Sequence, residues 1–425
     1  MSFLHSYYVG IIIGMRGIKM GNEMTLDRVY KASYVLNDVV RTTDILHAPK
    51  IKPGVDLYIK TENLQVTGSF KVRGAYYKIS QLSPEEKARG VVACSAGNHA
   101  QGVALAAKKN NIKAVICLPD GAPISKVEAT RSYGAEICLV EGVYDDAYKK
   151  ALQLRDEMGY TFIHPFNDPD VIAGQGTIAL ELAKQIPDMD AVIVPIGGGG
   201  LIAGVAYTLK NLNPNIKIYG VQAEGAASMH DSIREHQILT LPSVKTIADG
   251  IAVKQPGDLT YDICAKYVDE IATVSDDEIS AAILKLMEKH KLVSEGAGAV
   301  AVAAVMFDKF DLQGKKVVSL LSGGNIDVTI LSRVISRGLM MSGRRCKLTI
   351  EVADKPGELS RVTNIFAQQG ANVISALHER SNEAGTITGC NLRVTLETRD
   401  FEHIEAIRQA LQDAGLTVRK EIHYA

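Results

Sequence analysis

Lys71 is the residue of this chain best suited to act as a covalent nucleophile. It directly follows the aromatic Phe70 and lies between the small residues Gly68, Ser69 and Gly74. A lysine amine condenses with an aldehyde only when it is partly desolvated and unpaired, and glycines let the backbone approach a bulky ligand. The segment therefore predicts a site for a Schiff base, although the pattern alone is equally compatible with a lysine in a surface loop.

A second segment could bind an anion at the start of a helix. Residues 95–100 read Ser-Ala-Gly-Asn-His-Ala; they follow the apolar run Val91–Cys94 and precede a helix-like stretch from Gln101. Free backbone N–H groups at a helix N-terminus attract anions. Asn98 adds a side-chain amide that can donate to a neutral or anionic oxygen.

Two more loops suit the same ligand. Four consecutive glycines, Gly197, Gly198, Gly199 and Gly200, lie between the strand-like run 191–196 and an apolar stretch. Only residues without a Cβ let several N–H groups converge on one group, so this junction predicts a phosphate cradle. Residues 322–325, Ser-Gly-Gly-Asn, follow another apolar run and place the Ser322 hydroxyl at a third strand end.

The elements that must position these loops alternate along the chain, and they favour an α/β fold. Strand-like apolar runs alternate with segments that have helical spacing, beginning with a helix predicted over Leu26–Val40. Such alternation predicts parallel sheets covered by helices, with ligands at the carboxyl ends of the strands. The predicted strands are 57–60, 91–94, 114–118, 137–140, 191–196, 218–222 and 317–321, and the longer predicted helices are 145–158, 172–186 and 277–290.

With these four motifs in this order, the chain resembles pyridoxal-phosphate enzymes of the tryptophan-synthase-β fold type, specifically the serine/threonine dehydratases (threonine ammonia-lyases). The resemblance runs from about Met24 to the C-terminus. It implies a fold-type II catalytic domain over residues 24–338 with two parallel-sheet lobes, the smaller at about 90–164. The cofactor that it implies is pyridoxal 5'-phosphate.

The resemblance also assigns roles to the motif residues. Lys71 would hold the cofactor covalently and Phe70 would lie against its ring. Asn98 would bind the ring hydroxyl and Ser322 would face the pyridine nitrogen. The phosphate would be bound by the tetraglycine, and the loop for the substrate carboxylate would contain Ser95, Gly97 and His99, with most of that binding from backbone N–H groups.

The implied reaction is deamination of L-threonine to 2-oxobutanoate and ammonia, with L-serine giving pyruvate as a secondary activity. Serine racemase shares most motifs, but it carries a second serine where this chain has Ala96. β-Replacement enzymes such as cysteine synthase lack the histidine found here at His99. A catalytically silent amino-acid sensor is a further alternative, against which the intact Lys71 argues. For Glu295, at an apolar helix start, helix capping and an active-site role both stay open.

After residue 338 the pattern changes to alternating polar and apolar strands. The order βαββαβ over residues 346–425, with the turn Asp354–Leu359, resembles an ACT domain, a module that binds amino acids and regulates metabolic enzymes. This resemblance implies Gly357 and Asn372 beside an effector such as isoleucine, and a homo-oligomer, expected to be a tetramer. A module that serves only assembly is the alternative.

The composition of the chain argues against several classes of protein. A formal net charge of −1 gives no indication of a nucleic-acid partner, and no apolar stretch is long enough to span a membrane. The six cysteines show no metal-ligand spacing and are typical of a reducing cytoplasm. Glu224 matches a divalent-ion position of some racemases but lacks an evident partner aspartate, so no metal is expected. Residues 1–23 are expected to be a disordered or spurious extension, with Met24 as the start.

Overall fold

The computed structural model of the protein describes residues 23–380 and 389–422. The extension expected at residues 1–23 lies outside this part, except for its last residue. The described strands form three sheets. They are β1 Ile45–His47, β2 Asp56–Lys60, β3 Val91–Cys94, β4 Ala114–Pro119, β5 Glu136–Val140, β6 Thr161–Phe162, β7 Ala191–Pro195, β8 Lys217–Ala223, β9 Glu270–Val274, β10 Lys316–Leu320, β11 Arg345–Ala353, β12 Asn372–Glu379, β13 Gly389–Glu397 and β14 Thr417–Ile422.

The helices between these strands begin at recognisable caps. Ser83 and Ser275 each form a capping box, and Asp168 caps a helix whose first residue is Pro169. The described α-helices are α1 Leu26–Leu36, α2 Lys71–Ser80, α3 Pro84–Arg89, α4 Asn98–Lys109, α5 Ile124–Ser132, α6 Tyr144–Met158, α7 Pro169–Gln185, α8 Gly200–Leu212, α9 Ser228–Arg234, α10 Asp258–Tyr267, α11 Asp276–His290, α12 Gly296–Met306, α13 Val328–Met341, α14 Glu358–Gln369 and α15 Phe401–Asp413.

The larger sheet has the order β1-β2-β10-β7-β8-β9. All its neighbouring pairs are parallel except β1–β2, which is antiparallel. Strands β7, β8 and β10 are buried almost throughout, as expected of strands covered on both faces. The predicted parallel sheet is confirmed. The antiparallel edge β1 was not predicted because three residues are too few to show a period.

The smaller sheet has the order β5-β4-β3-β6, and all its pairs are parallel. Its strands lie between residues 91 and 162. Helix α4 packs on one face through a core that includes Ala100, Val103 and Ile116. Helix α6 packs on the other through Ala147 and Ala151. The domain and lobe bounds given above stay predictions.

The C-terminal sheet has the order β12-β13-β11-β14, with every pair antiparallel. Helices α14 and α15 cover one face, and Phe366, Ile404 and Leu411 fill the core between the helices and the sheet. The predicted order βαββαβ is confirmed. In the described part of the chain, no helix combines the length and apolar character that crossing a bilayer requires.

Candidate active site

The lysine segment is fixed to the loop after β10 by backbone contacts. Helix α2 begins at Lys71, so its side chain projects from a helix N-terminus. The preceding Ser69 forms a β-bridge with Gly323. The N–H of Phe70 donates to the carbonyl of Ser322 over 3.2 Å. Two predicted site segments, distant in sequence, therefore meet at the carboxyl end of the larger sheet.

The Lys71 amine is desolvated and has no ion-pair partner in the described part of the chain. Its Nζ donates to the carbonyl of Pro165 over 3.1 Å and lies 5.4 Å from the centroid of the Phe70 ring. Burial lowers the pKa of Lys71 to about 8, although the nearby Glu295 carboxylate acts in the opposite direction. At neutral pH about a tenth of this amine is then neutral, which is the form that a nucleophile or a proton acceptor requires.

Pro165 belongs to a turn that sequence analysis did not single out. The ring Nδ1 of His164 accepts the N–H groups of Phe166 and Asn167, over 3.2 and 2.8 Å. Burial lowers the pKa of His164 to about 4, so the ring is a neutral acceptor. The turn thereby presents the Pro165 carbonyl to Lys71. A histidine followed by proline gives no signal of this role in the sequence.

Asn98 is the first residue of α4, and its amide lies in a network of polar side chains. Its Nδ2 donates to Oε1 of Glu295 over 2.6 Å. Its Oδ1 accepts from Nδ2 of Asn325 over 2.8 Å, and Asn325 also donates to the carbonyl of Thr67. The orientation of the Asn98 amide is thus fixed from both ends, and its second N–H is available to a ligand oxygen.

Glu295 belongs to this site and does not cap its helix. Its side chain makes no capping hydrogen bond to α12, although it precedes that helix directly. It is only 4% exposed. Burial, together with the charge of Asp249, raises the pKa of Glu295 to about 7. Of the two interpretations left open by the sequence, the geometry supports the active-site one, with a carboxyl group that exchanges a proton near neutral pH.

The loop before α4 borders open space, and the N–H of Ala96 donates to no acceptor among the described residues. The N–H of Gly97 donates to Oγ of Ser95 over 3.2 Å, and a Cβ at Gly97 would meet no atom within 4 Å. The His99 ring lies instead in the interior, with Nε2 2.9 Å from the carbonyl of Ile163. Burial lowers the pKa of His99 to about 3, so it stays neutral. These contacts favour a structural role for His99 and an anion-binding role for the backbone.

The tetraglycine joins β7 to α8, and its backbone amides point to no protein acceptor among the described residues. In the described part of the chain, the N–H groups of Gly197, Gly198 and Gly199 donate to no acceptor. Gly199 has φ +99°, a conformation that side chains disfavour. A Cβ at Gly198 would lie 2.4 Å from carbons of the Phe166 ring. Free N–H groups at a helix start form an anion cradle, which only glycine permits here.

A cleft lies beside this cradle. Its volume is about 340 Å³. It is bordered by the turn that holds Lys71 and by the start of α10, where the N–H of Gly257 donates to the carbonyl of Gly198. The residues lining it are His164, Phe166, Asn167, Ile238, Gln255, Pro256, Gly257 and Asp258.

Ser322 follows β10 as predicted and carries a neutral hydroxyl into the buried loop. It is 3% exposed, and its Oγ lies 3.3 Å from the carbonyl of Ala297, to which it donates. Ser69, two residues before Lys71, has a fully buried hydroxyl with no partner among the described residues. A buried polar atom without a partner costs free energy unless a ligand satisfies it.

These groups fit pyridoxal phosphate. Lys71 offers an unpaired amine for the aldehyde, and the tetraglycine offers free N–H groups for the phosphate. Asn98 and Ser322 offer an amide and a hydroxyl for polar atoms of the ring. The buried Ser69 hydroxyl indicates that a polar ligand completes the site.

A buried ion cluster, not found from the sequence, supports α2. Arg73 donates to both carboxylate oxygens of Glu62 over 2.8 Å each and to Glu181 over 2.7 Å. Lys60 donates to the other oxygen of Glu181 over 2.6 Å. Arg73 is 1% exposed and Glu62 is fully buried. The cluster fixes the helix whose first residue is Lys71.

Within one chain the two predicted effector residues are not brought together. Gly357, with φ +97°, caps the start of α14, whereas Asn372 begins β12 beyond its end. The 12 residues of α14 span about 18 Å at 1.5 Å per residue. The Asn372 amide donates to Glu397 over 2.9 Å. A ligand that contacts both residues would need two copies of the domain.

Comparison with known proteins agrees with this geometry. Residues 36–323 match the family model "Pyridoxal-phosphate dependent enzyme" and residues 347–415 match "ACT domain". An L-threonine ammonia-lyase of Thermotoga maritima is 48% identical over 93% of this chain and 99% of its own length. A catabolic L-threonine dehydratase of Escherichia coli is 48% identical over 66% of this chain and 85% of its own.

Solved structures give the same result. A threonine deaminase from Solanum lycopersicum is 39% identical, covers 76% of this chain and 97% of its own, and has a TM-score of 0.69. Maize serine racemase is 37% identical, covers 74% and 98%, and has a TM-score of 0.70. Fold and comparisons thus define a fold-type II pyridoxal-phosphate enzyme. The chain belongs to the pyridoxal-phosphate dependent enzyme family and carries a C-terminal ACT domain.

Proposed function

We propose that this chain removes ammonia from L-threonine to give 2-oxobutanoate, and from L-serine, as a secondary activity, to give pyruvate. The observation that carries the proposal is the desolvated Lys71 amine, with a pKa of about 8, together with the tetraglycine amides that donate to no acceptor in the described part of the chain. The high identity to an L-threonine ammonia-lyase over nearly the whole chain supports the choice of substrate.

The proposed roles follow from the atoms that each residue offers. The chemistry supplied by bound pyridoxal phosphate is a sink for the electron pair left on the substrate Cα. Gly197–Gly200 would hold the phosphate through their amides, and Asn98 would orient the ring through its free N–H. Lys71 takes the Cα proton on Nζ, because burial lowers the pKa of this amine to about 8 and so raises its neutral fraction above that of a free lysine.

Ser322 sets the outcome of that proton removal. An acidic side chain beside the ring nitrogen would favour its protonation and deepen the electron sink, whereas the Ser322 hydroxyl carries no charge. With a shallow electron sink, the electron pair left on the substrate Cα expels the β-hydroxyl group rapidly, because it is only weakly stabilised. The substrate carboxylate is bound by the backbone around Ser95 and Gly97, at the N-terminus of α4, where the helix dipole favours an anion.

The reaction is tested by steady-state kinetics with L-threonine and L-serine, following 2-oxo acid and ammonium. We expect equal amounts of the two products and a higher kcat/KM for L-threonine. If neither amino acid yielded a 2-oxo acid, the ammonia-lyase proposal would fail and a silent amino-acid sensor would replace it.

Racemisation is the second candidate, since a serine racemase is among the structural relatives. It requires an acid/base group on the opposite face of the Cα, and the methyl group of Ala96 cannot transfer a proton. We therefore expect L-serine to give pyruvate with almost no D-serine. Chiral chromatography that detected D-serine at a rate comparable to pyruvate would favour the racemase.

The ACT domain supports allosteric regulation by an amino acid. We propose a branched-chain effector such as isoleucine, bound near Gly357 and Asn372 where two copies pair in a homo-oligomer, expected to be a tetramer. Coupling between such sites is usually about 1–3 kcal/mol. Truncation after Gly343, beyond the end of α13, should keep deamination and abolish the response. Identical effector curves before and after truncation would leave the domain as an assembly device.

We also propose a cytoplasmic location. All six cysteines are free thiols, and five of them are buried. Buried thiols of this kind are typical of proteins that work in a reducing compartment.

A further inference from the structure

Three side chains with metal-binding chemistry meet at one end of the ACT sheet, far from Lys71 in the sequence. They are Asp354, His378 and Cys390. Each offers one ligand atom, and these three atoms lie within 4.8 Å of one another. Asp354 and His378 are exposed, whereas Cys390 is 2% exposed. The group is therefore open to solvent on one side and closed by the domain core on the other.

The strand register explains why these residues meet. Cys390 lies on β13, the strand between β12 and β11, and pairs with Val352 of β11. Asp354 follows two residues after Val352. On the other side, His378 of β12 pairs with Leu392, two residues after Cys390. Because side chains alternate with a period of two, Cys390 and His378 are on the same face of the sheet, and Asp354 directly follows the end of β11.

The contacts within the group are direct. Nε2 of His378 lies 2.7 Å from Sγ of Cys390, and that sulfur lies 3.5 Å from the carbonyl of Val352. Oδ1 of Asp354 accepts from Nε of Arg380 over 3.2 Å. The Arg380 side chain is 74% exposed, so this ion pair is weak and displaceable.

We propose that Asp354, His378 and Cys390 bind a Zn²⁺ ion. Imidazole nitrogen, thiolate sulfur and carboxylate oxygen are the ligand types that Zn²⁺ prefers, at about 2.0–2.1, 2.3 and 2.0–2.2 Å. Tetrahedral coordination at these lengths places nitrogen and sulfur about 3.5 Å apart. The observed contact must open by less than 1 Å, which the exposed His378 can supply. Binding releases the Cys390 thiol proton to solvent.

The ligand set selects the ion and leaves a coordination position free. A thiolate and an imidazole disfavour Mg²⁺ and Ca²⁺, which take oxygen ligands. Three protein ligands leave the fourth position of a tetrahedral ion open to water or to a small molecule. Asp354 begins the turn that leads to Gly357, so the ion would join this turn to strands β12 and β13. The inference does not rest on the proposed reaction.

The test is equilibrium dialysis of the full-length holoenzyme against Zn²⁺ after chelator treatment, with bound metal measured by atomic emission. We expect one Zn²⁺ per chain, and at least tenfold weaker binding in Asp354→Asn, His378→Gln and Cys390→Ser. With Co²⁺ as the probe, the wild-type protein should show the visible bands of tetrahedral cobalt, at longer wavelength than the cofactor absorbs. These bands should be lost in Cys390→Ser.

Two control variants separate ligation from general damage. Cys346→Ser makes the same change at a buried position of the same domain core, and Glu379→Gln removes a charge beside His378. Both should bind Zn²⁺ like the wild type. If Cys390→Ser does not fold, His378→Gln decides, because its position is on an exposed edge strand. Equal Zn²⁺ binding by the wild type and the three ligand variants, or equal loss in Cys346→Ser, would overturn the proposal.

Discussion

The lowered pKa of Lys71 leads to a measurable prediction about the apoprotein. A pKa of about 8 in place of 10.5 corresponds to about 3 kcal/mol, at roughly 1.4 kcal/mol per pH unit. The same change raises the neutral fraction at neutral pH about 300-fold over that of a free lysine. Because the folded state disfavours the charged amine, this cost to stability is fully present below pH 8 and disappears as the pH rises to 10.5.

The assay is labelling of the apoprotein with a low concentration of an amine-reactive reagent, quantified for each lysine peptide by mass spectrometry. Labelling of Lys71 should follow a titration curve centred near pH 8. Lys78, on the same helix, is the matched control. Although burial opposes it, the Asp168 and Asp170 carboxylates raise the pKa of Lys78, so its labelling should require more alkaline conditions.

Glu295→Gln adds a second test of the same reasoning. The Glu295 carboxylate raises the pKa of Lys71, so its removal should move the labelling curve of Lys71 to lower pH. A Lys71 curve that coincides with that of Lys78 would refute the description of the amine as desolvated and unpaired. A shift of the Lys71 labelling curve to higher pH in Glu295→Gln would refute the electrostatic coupling between Lys71 and Glu295.

Two further predictions concern the support of the site. Arg73→Met should destabilise the protein by about 3–5 kcal/mol, because it leaves the Glu62 carboxylate buried without its partner; urea unfolding followed by circular dichroism measures this, and a loss below 1 kcal/mol would contradict it. Gly198→Ala should weaken cofactor binding at least tenfold, because the new methyl group would overlap the Phe166 ring. Fluorescence titration of the apoprotein with the cofactor measures this. The control is Gly121→Ala, which should bind the cofactor normally because a Cβ there meets nothing within 4 Å.

The sequence predicted the elements that carry strong periodicity and the loops that carry glycine. Strand β3 begins and ends at the predicted residues, and the tetraglycine lies between β7 and α8 as expected. Such loops directly follow buried strands, so an apolar run and the glycine loop after it together identify a strand end in the sequence. Strand β9 was not predicted, because only Val274 at its end is buried and its pattern is weak.

The contacts of the site were less predictable, since they join residues that are distant in sequence. The sequence left two roles open for Glu295, helix capping and an active-site role. Its hydrogen bond to Asn98 and the absence of a capping hydrogen bond decide between them, and both are contacts that the sequence does not show. The Pro165 carbonyl that holds Lys71 is a backbone group, which any residue could supply. Asp354, His378 and Cys390 come from three neighbouring strands or their ends, so no ligand spacing appears in the sequence.

Lys71 is expected to hold the cofactor and to perform the proton transfer. Both roles can be examined by borohydride reduction of the holoenzyme, followed by digestion and mass spectrometry. We expect a pyridoxyl adduct on the peptide that contains Lys71, and loss of both the visible absorbance and 2-oxobutanoate formation in Lys71→Ala. A reducible adduct that persists in Lys71→Ala would place the cofactor on another lysine and refute this role of Lys71.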